Sequence, residues 1–397
     1  MKATLLTILV CVFSIQISNA QWVQTSNGLG DVIVYSLAAN EGNIFVGTIS
    51  NVLYLSTNNG ITWTQSSLGN ELCYSLATNG NNVFAGTGSH GVFLSTNNGI
   101  SWNQTSLNNR TIRAFAISGS NIFAGASSGD QGVLLSTDNG ISWTQTALIN
   151  KICNALVVSG NNIFAGTSDS GVFLSTNNGT SWEQTSLNNR SVRSLTISGN
   201  NIFAGSGQGV LLSTDNGTSW TQTPLMNQII FSLTTYGNNI YAGTGFNGGV
   251  YVSSNNGSTW IQRNEGLGNL YIYAFCVLNN NIFVGTAGKS VYKRPLSELT
   301  GIQPVSNEIT DNFSLSQNYP NPFNPLTQIG FGISELGFVS LKIYSALGRE
   351  VQTLVSEKLS PGTYIVEFSG NDLPSGVYFY KIQSGHFSEV KKMFLLK

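Results

Sequence analysis

The sequence predicts an all-β protein made of a seven-bladed β-propeller followed by a small, immunoglobulin-like β-sandwich. Three observations lead to this prediction. A unit of about 40 residues recurs along most of the chain, each unit divides into short apolar stretches separated by Gly and Asn, and the repeat stops near residue 296. A repeat of this length with several short strands per unit is typical of a propeller blade.

Two motifs mark the repeat. The first reads Ser-Thr-Asn-Asn-Gly-x-x-Trp with small changes, and 38 to 41 residues separate its successive tryptophans, which are Trp63, Trp102, Trp143, Trp182, Trp220 and Trp260. The second reads Asn-Ile-Phe-Ala-Gly-Thr or a close variant and begins at Asn43, Asn82, Asn121, Asn162, Asn201, Asn239 and Asn281. In one unit we expect strand A at 74–78, strand B at 82–86, strand C at 91–95 and strand D at 101–105.

The two ends of the repeat are incomplete in complementary ways. The last unit runs into Arg294 and Pro295 without a tryptophan strand, whereas Trp22 lies 41 residues before Trp63, one full period. We therefore expect an N-terminal strand to complete the seventh blade. This closure would pair the open edges of the ring.

Composition and the N-terminus indicate an exported protein. Residues 1–20 read as a signal peptide, with Lys2, a short apolar run, and small residues at Ser18 and Ala20 before the predicted cleavage site. No later stretch is long and apolar enough for a transmembrane segment. Only 9% of residues are charged and the net charge is −1, so the chain has no basic field that would attract nucleic acid.

Cysteine and histidine are too sparse for a metal centre. Cys73, Cys153 and Cys276 remain after the signal peptide and lie in apolar stretches of different repeats, so we expect small buried hydrophobes. His90 and His386 are the two histidines, and no ligand cluster surrounds either in the sequence. We predict no metal site and no cofactor.

The C-terminal part has a different pattern. We expect the propeller at 21–296, a polar linker at 297–312 and a small sandwich of alternating strands at 313–397. Four segments carry a resemblance, namely 319–325 (Tyr-Pro-Asn-Pro-Phe-Asn-Pro), 343–351, 373–380 and 391–397. They are similar to the type A C-terminal sorting domain of the bacterial type IX secretion system. This resemblance implies Sec export, recognition by the type IX machinery, and a final place outside the cell or on its surface.

The tryptophan motif resembles the Asp-box (BNR) repeat of a propeller group that includes sialidases and photosystem assembly factors. The residues at its Asp position are Asn58, Asn97, Asp138, Asn177, Asp215 and Asn255. A carbonyl oxygen at this position can accept hydrogen bonds from the turn backbone. The resemblance implies a structural turn remote from the ligand face. Calcium is the alternative, but four of the six residues are neutral, whereas calcium prefers several carboxylates.

The ligand face is predicted to carry the D–A and B–C loops. Two near-copies, 107–113 and 187–193, lie 80 residues apart, which a two-blade duplication would explain without any function. Alternatively, their four arginines converge and hold an anion. The B–C loops add His90, Asp130, Asp169 and Lys289. The predicted ligand-binding residues are Tyr35, Tyr74, Arg110, Arg113, Asn154, Arg190, Arg193, Phe231 and Tyr273.

Three functions stay open at this point. The first is a non-catalytic binding or scaffold propeller for a glycan or a protein. The second is a sialidase-like glycoside hydrolase, although the Phe/Tyr-Arg-Ile-Pro segment of sialidases is missing and no acidic residue lies in a distinctive motif, so we assign no catalytic residue. The third, an extracytoplasmic assembly factor, rests on fold analogy alone.

Overall fold

A computed structural model describes residues 21–128, 131–299, 302–306, 312–370 and 373–397. The predicted signal peptide, residues 1–20, lies outside these ranges. The described chain is almost entirely β-structure, with one four-residue helix, α1 (Leu296–Leu299). The predicted all-β class is confirmed.

Seven four-stranded antiparallel sheets form the blades. Strand A of blades 1 to 7 is β2 (Val34–Asn40), β6 (Cys73–Asn79), β10 (Ile112–Ser118), β14 (Cys153–Ser159), β18 (Val192–Ser198), β22 (Ile230–Tyr236) and β26 (Ile272–Leu278). Strand B is β3 (Asn43–Thr48), β7 (Asn82–Thr87), β11 (Asn121–Ala126), β15 (Asn162–Thr167), β19 (Asn201–Ser206), β23 (Asn239–Thr244) and β27 (Asn281–Thr286).

The outer half of each blade is a second hairpin. Strand C is β4 (Leu53–Ser56), β8 (Val92–Ser95), β12 (Gly132–Ser136), β16 (Val172–Ser175), β20 (Gly209–Ser213), β24 (Val250–Ser253) and β28 (Val291–Pro295). Strand D of blades 1 to 6 is β5 (Thr64–Gln65), β9 (Asn103–Gln104), β13 (Thr144–Ile149), β17 (Glu183–Gln184), β21 (Thr221–Met226) and β25 (Ile261–Gln262). In blade 2, strand D covers two residues, fewer than the predicted 101–105, whereas β13 and β21 each cover six.

The N-terminal strand β1 (Val23–Gln24) supplies strand D of blade 7. It pairs with β28 in the register Val23 to Lys293 and Gln24 to Tyr292. Trp22 beside it is 2% exposed, and its indole Nε1 donates to the carbonyl oxygen of Arg263 over 2.7 Å. The predicted closure of the seventh blade is confirmed.

Strand B holds the blades together. Its central aromatic side chain is fully buried in every blade, in the residues Phe45, Phe84, Phe123, Phe164, Phe203, Tyr241 and Phe283. Two positions later each B strand has a glycine, against which the next blade packs. A Cβ atom built on Gly166 would lie 2.6 Å from Cγ1 of Val192, the first residue of the next A strand. Glycine therefore sets how closely neighbouring blades approach.

The turns formed by the Ser-Thr-Asn-Asn-Gly part of the tryptophan motif, called box turns below, connect strands C and D. In blade 2 the Ser95 hydroxyl accepts from the backbone N–H of Gly99 at 2.8 Å, and Asn97 Oδ1 accepts from the N–H of Ser101 at 3.0 Å. In blade 3 Asp138 Oδ1 makes the equivalent bond to the N–H of Ser142 at 2.9 Å. The glycine of each turn has a positive φ, 78° at Gly99. The amide and the carboxylate therefore cap the same turn.

The C-terminal domain is a two-sheet sandwich. Its strands are β29 (Ile302–Ser306), β30 (Ser314–Leu315), β31 (Leu326–Ile333), β32 (Gly337–Ser345), β33 (Glu350–Leu359), β34 (Gly362–Ser369), β35 (Gly376–Ser384) and β36 (Phe387–Leu395). The sheet orders are β29-β34-β31-β30 and β33-β32-β35-β36. Strand β29 lies inside the segment that the sequence predicts to be a linker. It forms a sheet edge because it pairs with β34, with Gln303 opposite Ile365.

Candidate ligand site at the channel mouth

A β-bulge aims one residue of each A strand toward the central channel. In all seven blades the A–B register shifts between the first and third residues of strand A, as between Ile112 and Ala114. The first residue of each A strand is fully buried, and the second has no paired residue in the register. A bulge turns such a side chain away from the regular alternation. The bulged residues are Tyr35, Tyr74, Arg113, Asn154, Arg193, Phe231 and Tyr273, called the channel-mouth ring below.

Six members of the ring form a continuous chain of side-chain contacts. The centroid of the aromatic group of Tyr35 lies 5.4 Å from that of Tyr74 and 5.5 Å from that of Tyr273. The aromatic centroids of Phe231 and Tyr273 are 5.0 Å apart. At one end the guanidinium carbon of Arg113 lies 5.6 Å from the Tyr74 centroid. At the other end a guanidinium group contacts Phe231.

The second cation is Arg193, whose guanidinium carbon lies 5.3 Å from the Phe231 centroid. Asn154 completes the ring between the two arginines. Its amide Nδ2 donates to Ser168 Oγ at 3.0 Å and to the carbonyl oxygen of Val192 at 3.2 Å. The ring therefore has an aromatic arc over blades 6, 7, 1 and 2 and a cationic arc over blades 3 to 5.

Tyr35 is the centre of the aromatic arc. Tyr35 is half-buried, and this burial raises its pKa, with a further increase from the neighbouring Tyr273 and Tyr74. The positive charge of Arg113 opposes the shift without cancelling it. Tyr35 therefore stays a phenol that can donate or accept a hydrogen bond.

The other two predicted arginines occupy a different place. Arg110 Nη1 donates to Gln145 Oε1 at 3.1 Å, and Gln145 belongs to β13, the outermost strand of blade 3. Arg190 holds the equivalent place in blade 5, where its carbonyl oxygen accepts from Gly171. Its Nη1 is buried without a hydrogen-bond partner among the described residues. The structure thus brings Arg113 and Arg193 into the ring and directs Arg110 toward the blade exterior.

A polar cavity of about 550 Å3 opens beside the ring, between blades 2 and 3. Tyr74 and Arg113 line it, together with amide and hydroxyl side chains. Glu71 and His90 lie in the same cavity, with His90 Nδ1 2.9 Å from Glu71 Oε2. Sequence reasoning did not select Glu71, because it stands in no motif and only the fold places it beside the ring.

The remaining B–C loop residues make local contacts. Lys289 Nζ lies 2.7 Å from Asp31 Oδ2, and this hydrogen bond lowers the pKa of Asp31. Asp169 accepts from Ser170 Oγ at 2.8 Å. Asp130 lies outside the described residues. None of these contacts involves a ring residue.

The three cysteines are buried free thiols. Burial raises the pKa of Cys73 and of Cys153 to about 12, and it also raises the pKa of Cys276. Thiols in such surroundings are unreactive. Across the described ranges, no three His, Cys, Asp or Glu side chains cluster in a way that could hold a metal ion. A search of the same residues for long apolar helices finds none able to cross a membrane.

Comparisons with known proteins identify the C-terminal part. Residues 317–396 match the family model described as the secretion system C-terminal sorting domain. The chain therefore consists of a β-propeller joined to a type IX sorting domain, and it is a secreted or cell-surface protein. A comparison with curated protein sequences finds no match.

Similar solved structures agree with the propeller fold. YCF48 bound to D1 peptide is 16% identical with a TM-score of 0.57, over 69% of this chain and 94% of that one. The extracellular domain of the putative hybrid two component system BT4673 from B. thetaiotaomicron is 19% identical with a TM-score of 0.59, over 81% of this chain and 45% of that one. This chain thus spans less than half of the latter. The computationally designed Ika8 protein is 12% identical with a TM-score of 0.54, over 70% and 99%.

Proposed function

We propose that this protein is a non-catalytic binding propeller, exported by the type IX system, that holds a glycan or a protein at the channel-mouth ring. The observation that carries the proposal is the unbroken contact chain from Arg193 through the aromatic arc to Arg113, with centroid distances of 5.0 to 5.6 Å. Aromatic and arginine side chains are enriched in binding sites. The adjoining cavity supplies depth for a small ligand group.

The lining of the cavity favours binding over hydrolysis. Glycoside hydrolysis of the common type needs two carboxyl groups, and a sialidase uses a tyrosine, a glutamate, a separate aspartate and three arginines. Among the described lining residues there is one carboxylate, Glu71, and one arginine, Arg113. The sialidase-like hydrolase therefore stays the alternative and is tested below by product release.

Protein ligands belong in the test as well. One similar structure is YCF48 with a bound D1 peptide, and an assembly factor would likewise recognise a polypeptide. At 16% identity this likeness supports the fold, and a peptide ligand for the present chain is part of the proposal.

The experiment probes a glycan array and a panel of surface proteins with the mature chain, from Gln21 to Lys397. Tyr35→Ala removes the centre of the aromatic arc. Tyr236→Ala is the matched control, because Tyr236 is 45% exposed at the far end of β22. We expect a specific ligand whose binding is lost in Tyr35→Ala, kept in Tyr236→Ala, and accompanied by no new reducing ends. The proposal would be contradicted if Tyr35→Ala bound the ligand as tightly as the parent chain, or if the chain released reducing ends from a glycan.

A further inference from the structure

Resting on the proposed function of the ring, we propose that its ligand is an anionic polysaccharide, whose sugar units carry carboxylate or sulfate groups. The starting observation is the charge of the ring, which contains Arg113 and Arg193 and no Asp or Glu. Both arginines are exposed. Two cations that are separated by one position of the ring, with no acidic residue in the ring, attract a negatively charged group.

Most donors of the two guanidinium groups are available to a ligand. Arg113 donates one hydrogen bond, from Nε to Ser127 Oγ at 2.8 Å. Arg193 has no hydrogen-bond or ion-pair partner within the described part of the chain, and its contact is with the face of Phe231. A guanidinium group has five N–H donors in a planar fork that fits carboxylate and sulfate oxygens. The ring therefore presents unused, preoriented donors.

Both arginines belong to the same arc of the channel-mouth ring, so one extended ligand can meet both. Neighbouring ring positions are 5.0 to 5.6 Å apart where contacts join them. Seven positions at this spacing lie about 6 Å from the channel axis, and a hydrogen-bonded oxygen lies about 4 Å from a guanidinium carbon. A polysaccharide chain that crosses the channel mouth can therefore place one charged group at each arginine. Asn154 stands between them, tied to the backbone of Val192.

The rest of the surface suits a sugar better than a peptide. The cavity beside the ring is lined largely by amide and hydroxyl groups, among them Asn51, Asn70, Thr111 and Ser128, and its aliphatic side chain is Leu72. Apolar peptide side chains would find one aliphatic partner among these lining residues, whereas sugar hydroxyls pair with amides and hydroxyls. The aromatic arc offers a surface for the C–H face of a sugar ring. Arginines for the charged group and polar groups for the hydroxyls together match an acidic glycan.

The experiment measures binding of the mature chain at 0.15 M salt, a value at which exposed charges are screened beyond about 8 Å. The probes are polygalacturonate, dextran sulfate, neutral dextran and poly-L-glutamate. The variants are Arg113→Ala, Arg193→Ala and their combination. Arg349→Ala is the control, since Arg349 is an exposed arginine of the sorting domain and its loss changes the net charge equally. Thermal melting verifies that all variants fold.

We expect polygalacturonate or dextran sulfate to bind, and the better of the two assigns carboxylate or sulfate. Each ring substitution should weaken binding about 10-fold or more, as expected for a charge-assisted hydrogen bond, and Arg349→Ala should not. Three results would overturn the inference. The double variant binds the anionic glycans as tightly as the parent chain, the parent chain binds them no more tightly than neutral dextran, or it binds neither of them. If poly-L-glutamate binds as tightly as the anionic glycans and the same variants lose this binding, the assignment of the ligand as a glycan is wrong. If the chain binds neutral dextran and Tyr35→Ala abolishes this binding, the inference of an anionic ligand is wrong, whereas the proposed function is supported.

Discussion

At the scale of residues, one bulged position in each blade decides what the channel mouth presents. Arg110 and Arg113 are three residues apart, yet Arg113 contacts Tyr74 while Arg110 bonds to the outermost strand of its blade. Arg110 precedes β10, whereas Arg113 occupies the bulged position of that strand, outside its regular alternation. Chemically similar neighbours therefore receive different surroundings from backbone register alone.

The box turns permit a prediction about charge. Hydrogen bonds from the Ser142 hydroxyl and its backbone N–H lower the pKa of Asp138 to about 2. Because the pKa in the folded state is depressed below 3.8, the carboxylate stabilises the fold fully above about pH 4 and loses this effect as the pH falls through 2. We expect Asp138→Asn to lower the melting temperature at pH 7, where the charge of the carboxylate no longer contributes, and to reduce its fall between pH 4 and 2.

The same turn supplies the control. Asn97 makes the equivalent backbone bond in blade 2 without a charge, so Asn97→Ala should lower the melting temperature equally at pH 7 and pH 3. Melting temperatures measured by circular dichroism across this range provide the readout. An Asp138→Asn variant whose melting temperature falls between pH 4 and 2 as much as that of the parent chain would contradict this account of the carboxylate.

At the scale of elements, the B-strand glycines set the spacing of the blades. A Cβ atom on Gly205 would lie 2.6 Å from Cγ2 of Ile230, the fully buried first residue of β22. Gly207, two residues later, has no atom within 4 Å of such a Cβ and its φ lies outside the left-handed region. We expect Gly205→Ala to destabilise the propeller by about 1–3 kcal/mol through overpacking. Gly207→Ala should stay within about 0.5 kcal/mol in urea denaturation.

The closing strand permits a second prediction at this scale. Trp22 is buried between blades 6 and 7, whereas Val23 in β1 is 53% exposed. We expect Trp22→Ala to destabilise by about 3–5 kcal/mol, the usual cost of truncating a buried aromatic side chain. Val23→Ala should cost less than about 0.5 kcal/mol. Because β1 closes the ring, deletion of residues 21–25 should lower hydrogen-exchange protection in blades 1 and 7 and beyond. Loss confined to β28 would show that closure is local.

At the scale of the whole molecule, the described chain forms two units, the propeller and the sorting sandwich. The sorting sandwich has its own core, with Phe331, Phe368 and Tyr380 fully buried, and the propeller carries the ring. We propose domain boundaries at 21–296 for the propeller and 313–397 for the sandwich, and the predicted linker, 297–312, adds α1 to the propeller core and β29 to the sandwich sheet. The first residues of the linker and β29 connect the two units, and β29 joins the edge of the sandwich sheet.

Export provides the test of this division. In a bacterium with a type IX system, a chain that ends at residue 300 should fold and stay in the periplasm, because the sorting domain is missing. A reporter joined to residues 301–397 should reach the surface or the medium. Fractionation with antibody detection distinguishes the two locations. A truncated chain at the surface would contradict the assigned task of the C-terminal domain.

By itself, the sequence determined the number of blades, the closing strand and the sorting domain. These follow from the spacing of short motifs, such as the 41 residues between Trp22 and Trp63, because every blade repeats the same local hydrogen bonds and buried side chains. The tertiary structure decided that Arg110 lies outside the ring, that Glu71 lines a cavity beside it and that β29 pairs with β34. Each of these depends on register or on contacts between distant segments, such as Gln303 with Ile365, and no local pattern encodes such partners.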